Sequence, residues 1–285
     1  MTLPALLPVG VLAERLGDPA LRLFDATVRL ERPPGGGPYA IVSGRDEYRR
    51  ARLPGAAFAD LAGDLANPAA PHAFSLPSSE RFAAAAGALG IGPGTHVVAY
   101  AQESPMWATR LWWLLRCFGF DSVSVLDGGR ESWQAAGLAL EDGEHRHPPA
   151  EFRARPRPEL LAVRADVEAA MAAGGTRLVC GLRPPVYRGE EASSSARPGH
   201  IPGSVNVPWT ALADDTGRFR PAADRAAALA AGGLLSGEPV IAYCGGGISA
   251  TVDVFALHLA GREARLYDGS LSEWSADPSL PLELG

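Results

Sequence analysis

Val240-Ile241-Ala242-Tyr243-Cys244-Gly245-Gly246-Gly247-Ile248-Ser249-Ala250-Thr251 carries more structural information than any other part of this chain. Four apolar residues read as a buried strand, and helical spacing from Thr251 to Ala260, with Gly261 as a C-cap glycine, reads as the helix that follows. Between them a cysteine is followed by three glycines. Glycine accepts backbone angles that other residues resist, so the chain curls tightly and several N–H groups point at one spot. That spot faces the start of the helix near Ser249, where the dipole is positive. A thiol placed there is expected to lose its proton readily, and the thiolate is the reactive form. The same cradle suits a second sulfur on the cysteine or a bound oxyanion.

Working outward, the segment recurs. Leu53-Pro54-Gly55-Ala56, then His96-Val97-Val98-Ala99-Tyr100, Leu126-Asp127-Gly128-Gly129 and Trp133 match Ile201-Pro202-Gly203-Ser204, Pro239 to Tyr243, Tyr267-Asp268-Gly269-Ser270 and Trp274. The offset is 148 residues at the Pro-Gly turns, 143 at the tyrosines and 141 at the tryptophans. Ordered markers with small drift indicate a duplicated domain, not a short-period solenoid. The length of 285 residues also suits two domains. We expect an N-terminal domain over residues 1–140, a linker rich in proline and charge over 141–158, and a C-terminal domain over 159–285. Leu21 to Ala26 and Arg177 to Val179 read as strands, and Arg110 to Phe118 has helical spacing. Strands alternating with helices predict α/β domains with mainly parallel sheets, whose catalytic loops gather at the carboxyl ends of the strands.

Composition narrows the function. With 47% hydrophobic and 20% charged residues, the chain has the makings of a packed core. It contains no lysine; all 26 basic residues are arginine. Schiff-base enzymes, Walker A sites and the kinase strand lysine are therefore excluded. A net charge of −6 without an arginine run argues against nucleic acid as a partner. Met1 to Gly10 lacks a basic leader and holds Pro4 and Pro8, so it does not read as a signal peptide. No apolar stretch is long enough to span a bilayer; Leu111 to Phe120 carries Arg116 in its middle. Cys117, Cys180 and Cys244 are odd in number and lack CxxC spacing, which points to reduced thiols in a cytoplasm and away from a zinc site. Cys117, inside Leu114-Leu115-Arg116-Cys117-Phe118, reads as a small buried hydrophobe, and Cys180 has no glycine cradle. A phosphate-binding loop at Cys244 is disfavoured because no lysine follows the glycines.

These features resemble the tandem-domain sulfurtransferases of the rhodanese family over nearly the whole sequence. The resemblance rests on Pro198-Gly199-His200-Ile201-Pro202-Gly203-Ser204-Val205-Asn206-Val207-Pro208, the Cys-Gly-Gly-Gly-Ile-Ser loop and Tyr267-Asp268-Gly269-Ser270. It implies two domains, each a five-stranded parallel sheet flanked by helices, of which the second alone is catalytic. Ala101 matches Cys244 in the first copy, and an alanine cannot carry sulfur. It also implies a Cys244 persulfide formed from thiosulfate or 3-mercaptopyruvate and passed to a thiol, cyanide or protein acceptor, without metal or organic cofactor. Gly245, Gly246, Gly247, Ile248 and Ser249 would line the sulfur, with Ser249 also placed to cap the helix.

Several positions depart from that pattern. Cys180-Gly181-Leu182 stands where Asp-Ala-Arg is usual, Val186 and Ser193 replace substrate arginines, and Gly246 replaces lysine or serine. Ala62, flanked by Asp60 and Asp64, occupies the place of an acidic partner whose histidine is retained as His72. Both family donors are anions, so Arg183, Arg188 and Arg197 are candidates to bind them. Two alternatives follow: a degenerate rhodanese pair that carries persulfide or binds a partner, and a cysteine phosphatase or arsenate reductase. The latter wants an arginine closing the loop, and none occurs after Ser249 before Arg262.

Overall fold

The structure, a computed structural model, describes residues 3–31, 39–193 and 195–285; Met1 and Thr2 of the leader reading lie outside it. The first half runs β1 (Leu6–Leu7), α1 (Val9–Ala13), β2 (Leu21–Asp25), β3 (Val28–Glu31), β4 (Ala40–Ser43), α2 (Arg45–Arg50), β5 (Ala56–Phe58), α3 (Ser79–Ala88), β6 (His96–Tyr100), α4 (Met106–Cys117), β7 (Val123–Leu126) and α5 (Gly129–Ala135). The second runs β8 (Leu161–Ala162), α6 (Arg164–Ala173), β9 (Arg177–Cys180), α7 (Pro184–Tyr187), β10 (Val205–Asn206), α8 (Ala222–Ala231), β11 (Val240–Tyr243), α9 (Ala250–Leu259), β12 (Arg265–Tyr267) and α10 (Ser270–Trp274). The expected pair of parallel α/β sheets is present. Strand orders β1-β7-β6-β2-β5 and β8-β12-β11-β9-β10 are the same order twice. An antiparallel β3–β4 hairpin, absent from the sequence reading, branches from the first sheet.

Central strands are apolar on both faces because helices cover both. On β11, Val240 and Ala242 face one core while Ile241 and Tyr243 face the other. The first of these cores is continuous between the halves. It joins Phe24 and Trp112 of the first to Val179, Cys244 and Phe255 of the second. The seam is α4 against α9. Trp112 packs edge-on to Phe255 at 4.8 Å, and Arg116 grips Glu263 with two bonds of 3.0 and 3.1 Å. Thr109 and Thr251, at matching positions of the two copies, share a hydroxyl–hydroxyl bond of 2.7 Å. A pseudo-two-fold axis therefore passes between them.

The 141–158 segment is less detached than its composition suggests. It runs extended along the first half, where Phe152 is buried edge-on to Phe82 and the Arg155 and Arg157 N–H groups donate to Phe118 and Cys117 carbonyls. One large apolar side chain among prolines and charges is enough to dock it.

Candidate active site

Cys244 leaves the carboxyl end of β11 and is only 2% exposed. Residues 245–249 then wind directly into α9. The carbonyls of Cys244, Gly245, Gly247 and Ile248 are turned outward onto named donors. Leu271 N–H holds the Cys244 carbonyl at 3.1 Å, and Ser272 holds that of Gly245 with its N–H at 2.7 Å and its hydroxyl at 2.8 Å. Arg110 Nη1 holds Gly247 at 3.1 Å, and the Thr251 hydroxyl holds Ile248 at 2.7 Å. Among the described residues, none accepts the N–H groups of Gly245 to Ala250. Outward carbonyls leave inward amides, and a run of inward amides at a helix start is an anion cradle. Beneath it, Cys244 N–H donates to the Ser270 hydroxyl at 3.1 Å, which donates in turn to the Tyr267 carbonyl at 2.7 Å.

Arg110 comes from α4 of the other half and is 1% exposed. Besides Gly247 it binds Asp268 Oδ1 at 2.6 Å and the Phe74 carbonyl at 2.5 Å, and it lies over the Trp113 ring. Asp268 Oδ2 accepts Leu76 N–H at 2.8 Å. One buried guanidinium thus ties together the loop, the Asp268 turn and the 67–76 segment of the first half. Reading the sequence did not single it out. The available signal was a cation at a helical position inside the apolar run Trp107 to Leu115, since a buried charge needs partners.

Gly247 has φ +73°, and a Cβ built there would lie 2.6 Å from the Asp268 carbonyl oxygen. The left-handed region costs a non-glycine residue roughly 1–2 kcal/mol before any clash. Gly247→Ala is therefore expected to lower the turnover rate by about tenfold or more and the melting temperature by several degrees. Steady-state rates and thermal unfolding of the same sample check both.

A family model described as "Rhodanese-like domain" matches residues 10–136 and 164–277, most of the chain and both halves. The chain belongs to the rhodanese family. Relatives cover the same length. A Pseudomonas aeruginosa protein named "Probable 3-mercaptopyruvate sulfurtransferase" is 38% identical with 100% of both chains covered. The Escherichia coli 3-mercaptopyruvate sulfurtransferase is 34% identical over 95% of each. The crystal structure of Escherichia coli SseA, titled as showing the rhodanese fold and catalytic mechanism of such enzymes, superposes with a TM-score of 0.82. It shares 32% identity over 93% of this chain and 98% of that one. The protein is a sulfurtransferase built of two rhodanese domains.

The first rhodanese domain has no comparable loop. After Ala101, residues Gln102 to Pro105 contain no glycine, Gln102 N–H is taken by Thr27 Oγ1 at 3.0 Å, and Glu103 has φ +64°. The 213–219 segment of the second domain covers this place, with Phe219 N–H donating to Asp127 at 2.8 Å. That bond mirrors the one between Leu76 and Asp268, so each domain's Asp-Gly turn is covered by a loop of the other.

The remaining candidates are placed as follows. Ser249 sits at the helix cap, but its φ and ψ of −61° and −29° are already helical and its hydroxyl makes no capping bond. A capping hydroxyl needs an extended backbone, so the capping expectation is corrected. His72 lies partly buried on the 67–76 segment, two residues from the Phe74 carbonyl that Arg110 holds. Arg183 pairs with Glu191 at 2.6 Å and Arg188 with Glu190 at 2.7 Å, both at the surface. Arg197 spends its donors on the carbonyls of Ser275, Asp277 and Leu280 at 2.7–2.9 Å. Asp60 turns its carboxylate onto its own Ala62 and Gly63 N–H groups. Burial pushes the Cys117 and Cys180 thiols far above the usual range, which keeps them protonated and inert. Cys180 also faces the core opposite to that of Cys244, so the two sulfurs lie on different sides of the sheet.

Proposed function

We propose that this rhodanese takes its sulfur from 3-mercaptopyruvate, with Cys244 as nucleophile and Gly245, Gly246, Gly247, Ile248 and Ser249 as the cradle. The supporting observation is the set of loop N–H groups, Gly245 to Ala250, without acceptors around a nearly buried cysteine. The Cys244 thiolate attacks the donor's sulfur. The carbon–sulfur bond breaks, its electron pair leaves on pyruvate enolate, and the enolate takes a proton from solvent. The new sulfur–sulfur bond places the outer, anionic sulfur among the loop amides. An acceptor thiolate then takes that sulfur and releases the Cys244 thiolate, giving ping-pong kinetics. With thiosulfate the leaving group is sulfite.

Donor choice follows the relatives' names and the neutral loop, which has Gly246 two residues after the cysteine. His72 closes the pocket from the first domain in this reading. Arg183, Arg188 and Arg197 have acidic or carbonyl partners already, so the amide cradle supplies most of the donor's electrostatic binding. Acceptors are thiols or cyanide, nucleic acid is not a partner, and residues 1–140, 141–158 and 159–285 are non-catalytic domain, linker and catalytic domain. Three free, buried cysteines suit a reducing cytoplasm. Among the described residues no helix is long and apolar enough to cross a membrane.

Intact-protein mass spectrometry after mixing with 3-mercaptopyruvate, and separately with thiosulfate, tests the reading. We expect a gain of about one sulfur atom at Cys244, faster with 3-mercaptopyruvate by about tenfold. A faster gain with thiosulfate reverses the donor. No gain with either on folded, reduced protein supports the degenerate pair that binds without turnover.

A further inference from the structure

One buried side chain behind the loop is left out of the bonding around Cys244. Asp253 lies on the first turn of α9, is fully buried, and neither carboxyl oxygen has a hydrogen-bond partner among the described residues. Other acids near the two domain sites are satisfied. Asp268 binds Arg110 and Leu76, and Asp25 of the first domain accepts from Thr27 and Gln102.

Its position follows from the sheet. Tyr243 pairs in register with Cys180, and Gly181 N–H continues the ladder by donating to the Tyr243 carbonyl at 3.0 Å. Gly181 therefore stands beside Cys244. A Cβ built on Gly181 would overlap Asp253 Oδ2, so the carboxyl fills the side-chain slot at that position. This slot opens on the face toward α9, the face that Val179, Ala242 and Cys244 share. Neighbouring strands lie about 4.8 Å apart, which puts the carboxyl roughly one strand spacing from the Cys244 side chain.

Little around Asp253 offsets a charge. β9 offers Cys180, β11 offers Tyr243 and Cys244, and Asp268 follows β12. On α4 the Arg110 guanidinium is committed to Gly247, Phe74 and Asp268, and on α9 itself His258 pairs with Glu263. Burial holds the Asp253 carboxyl well above the usual carboxylate range, and with no donor on either oxygen the neutral acid is the form this place accommodates.

We propose that Asp253 is a positioning residue for Cys244: as the neutral acid it leaves the reacting sulfur as the single negative charge of the pocket, and loss of its proton closes the site to anionic donors. This rests on the Cys244 persulfide reading. Two like charges one strand spacing apart in a dry site repel strongly, and an incoming anion meets both.

The test compares two reagents on the wild-type protein from neutral to strongly alkaline pH. One is persulfide formation at Cys244 by 3-mercaptopyruvate or thiosulfate, both anions. The other is alkylation of Cys244 by neutral iodoacetamide. Each profile is scaled to its own maximum. We expect the anionic donors to lose about tenfold or more at the alkaline end, the equivalent of one pKa unit of coupling, while alkylation stays level. Asp253→Asn should abolish that alkaline fall. Coincident profiles in the wild type, or an unchanged fall in Asp253→Asn, overturn the proposal. If the variant does not fold, the infrared carbonyl band of a protonated buried carboxyl in the wild type at neutral pH decides, and its absence overturns the proposal. If no persulfide forms at any pH while alkylation proceeds, the sulfur-transfer reading fails, and the infrared band alone judges Asp253.

Discussion

Cys244→Ser is expected to abolish persulfide formation and to lower sulfur transfer by on the order of a thousandfold or more. The serine hydroxyl stays protonated where a thiol would ionise, and an oxygen in that cradle has no comparable affinity for sulfane sulfur. The fold should survive, because the exchange removes little volume and the N–H to Ser270 belongs to the backbone. Cys117→Ala and Cys180→Ala are the controls. Both sites are buried, so each variant loses some stability to a small cavity, about 1–2 kcal/mol. Both should keep transfer within a few-fold of the parent. Intact mass after donor treatment and a transfer assay on the same preparations check the set. Loss of transfer in a folded Cys180→Ala variant would mean that Cys244 is not acting alone.

Arg110→Met should be the most disruptive exchange outside the loop. The guanidinium is fully buried, and its removal leaves the Asp268 carboxylate, Gly247 carbonyl and Phe74 carbonyl without their donor. Breaking such a network from one side costs on the order of 3–5 kcal/mol, since a buried charge remains uncompensated. Chemical denaturation should show that loss. Turnover should fall by about a hundredfold even in folded protein, because the Gly247 carbonyl is no longer held away from the sulfur. Adding Asp268→Asn removes the stranded charge and should restore part of the stability but not the turnover. A double variant that regains both would show that Arg110 acts on stability alone.

The segment from Val240 to Gly261 was legible because strand, glycine loop and helix each leave a local mark, and the repeat at Tyr100 and Trp133 confirmed its scale. What reading the sequence missed depends on partners far along the chain. Arg197 lies in the segment where a substrate arginine was expected, yet its donors meet carbonyls 78 to 83 residues later. Ser249 has a capping residue's identity and place, but the loop enters the helix without the extended backbone a cap needs. Arg110 and Asp253 look like interruptions of apolar helices. Burial makes the first a fully committed guanidinium and the second an unpartnered acid behind the sulfur, and burial is a property of the packed pair of domains.

The mirrored bonds from Leu76 to Asp268 and from Phe219 to Asp127, with Thr109 and Thr251 on the axis between them, describe an isologous contact of the kind that holds a symmetric dimer. In two separate copies, each live site would be complete only above the dissociation constant of that dimer. The 141–158 connection makes the encounter intramolecular, at an effective concentration in the millimolar range for a short tether. Dilution therefore leaves the site whole. The first domain is in effect a permanently bound subunit whose contribution to the loop is Arg110, Phe74 and Leu76.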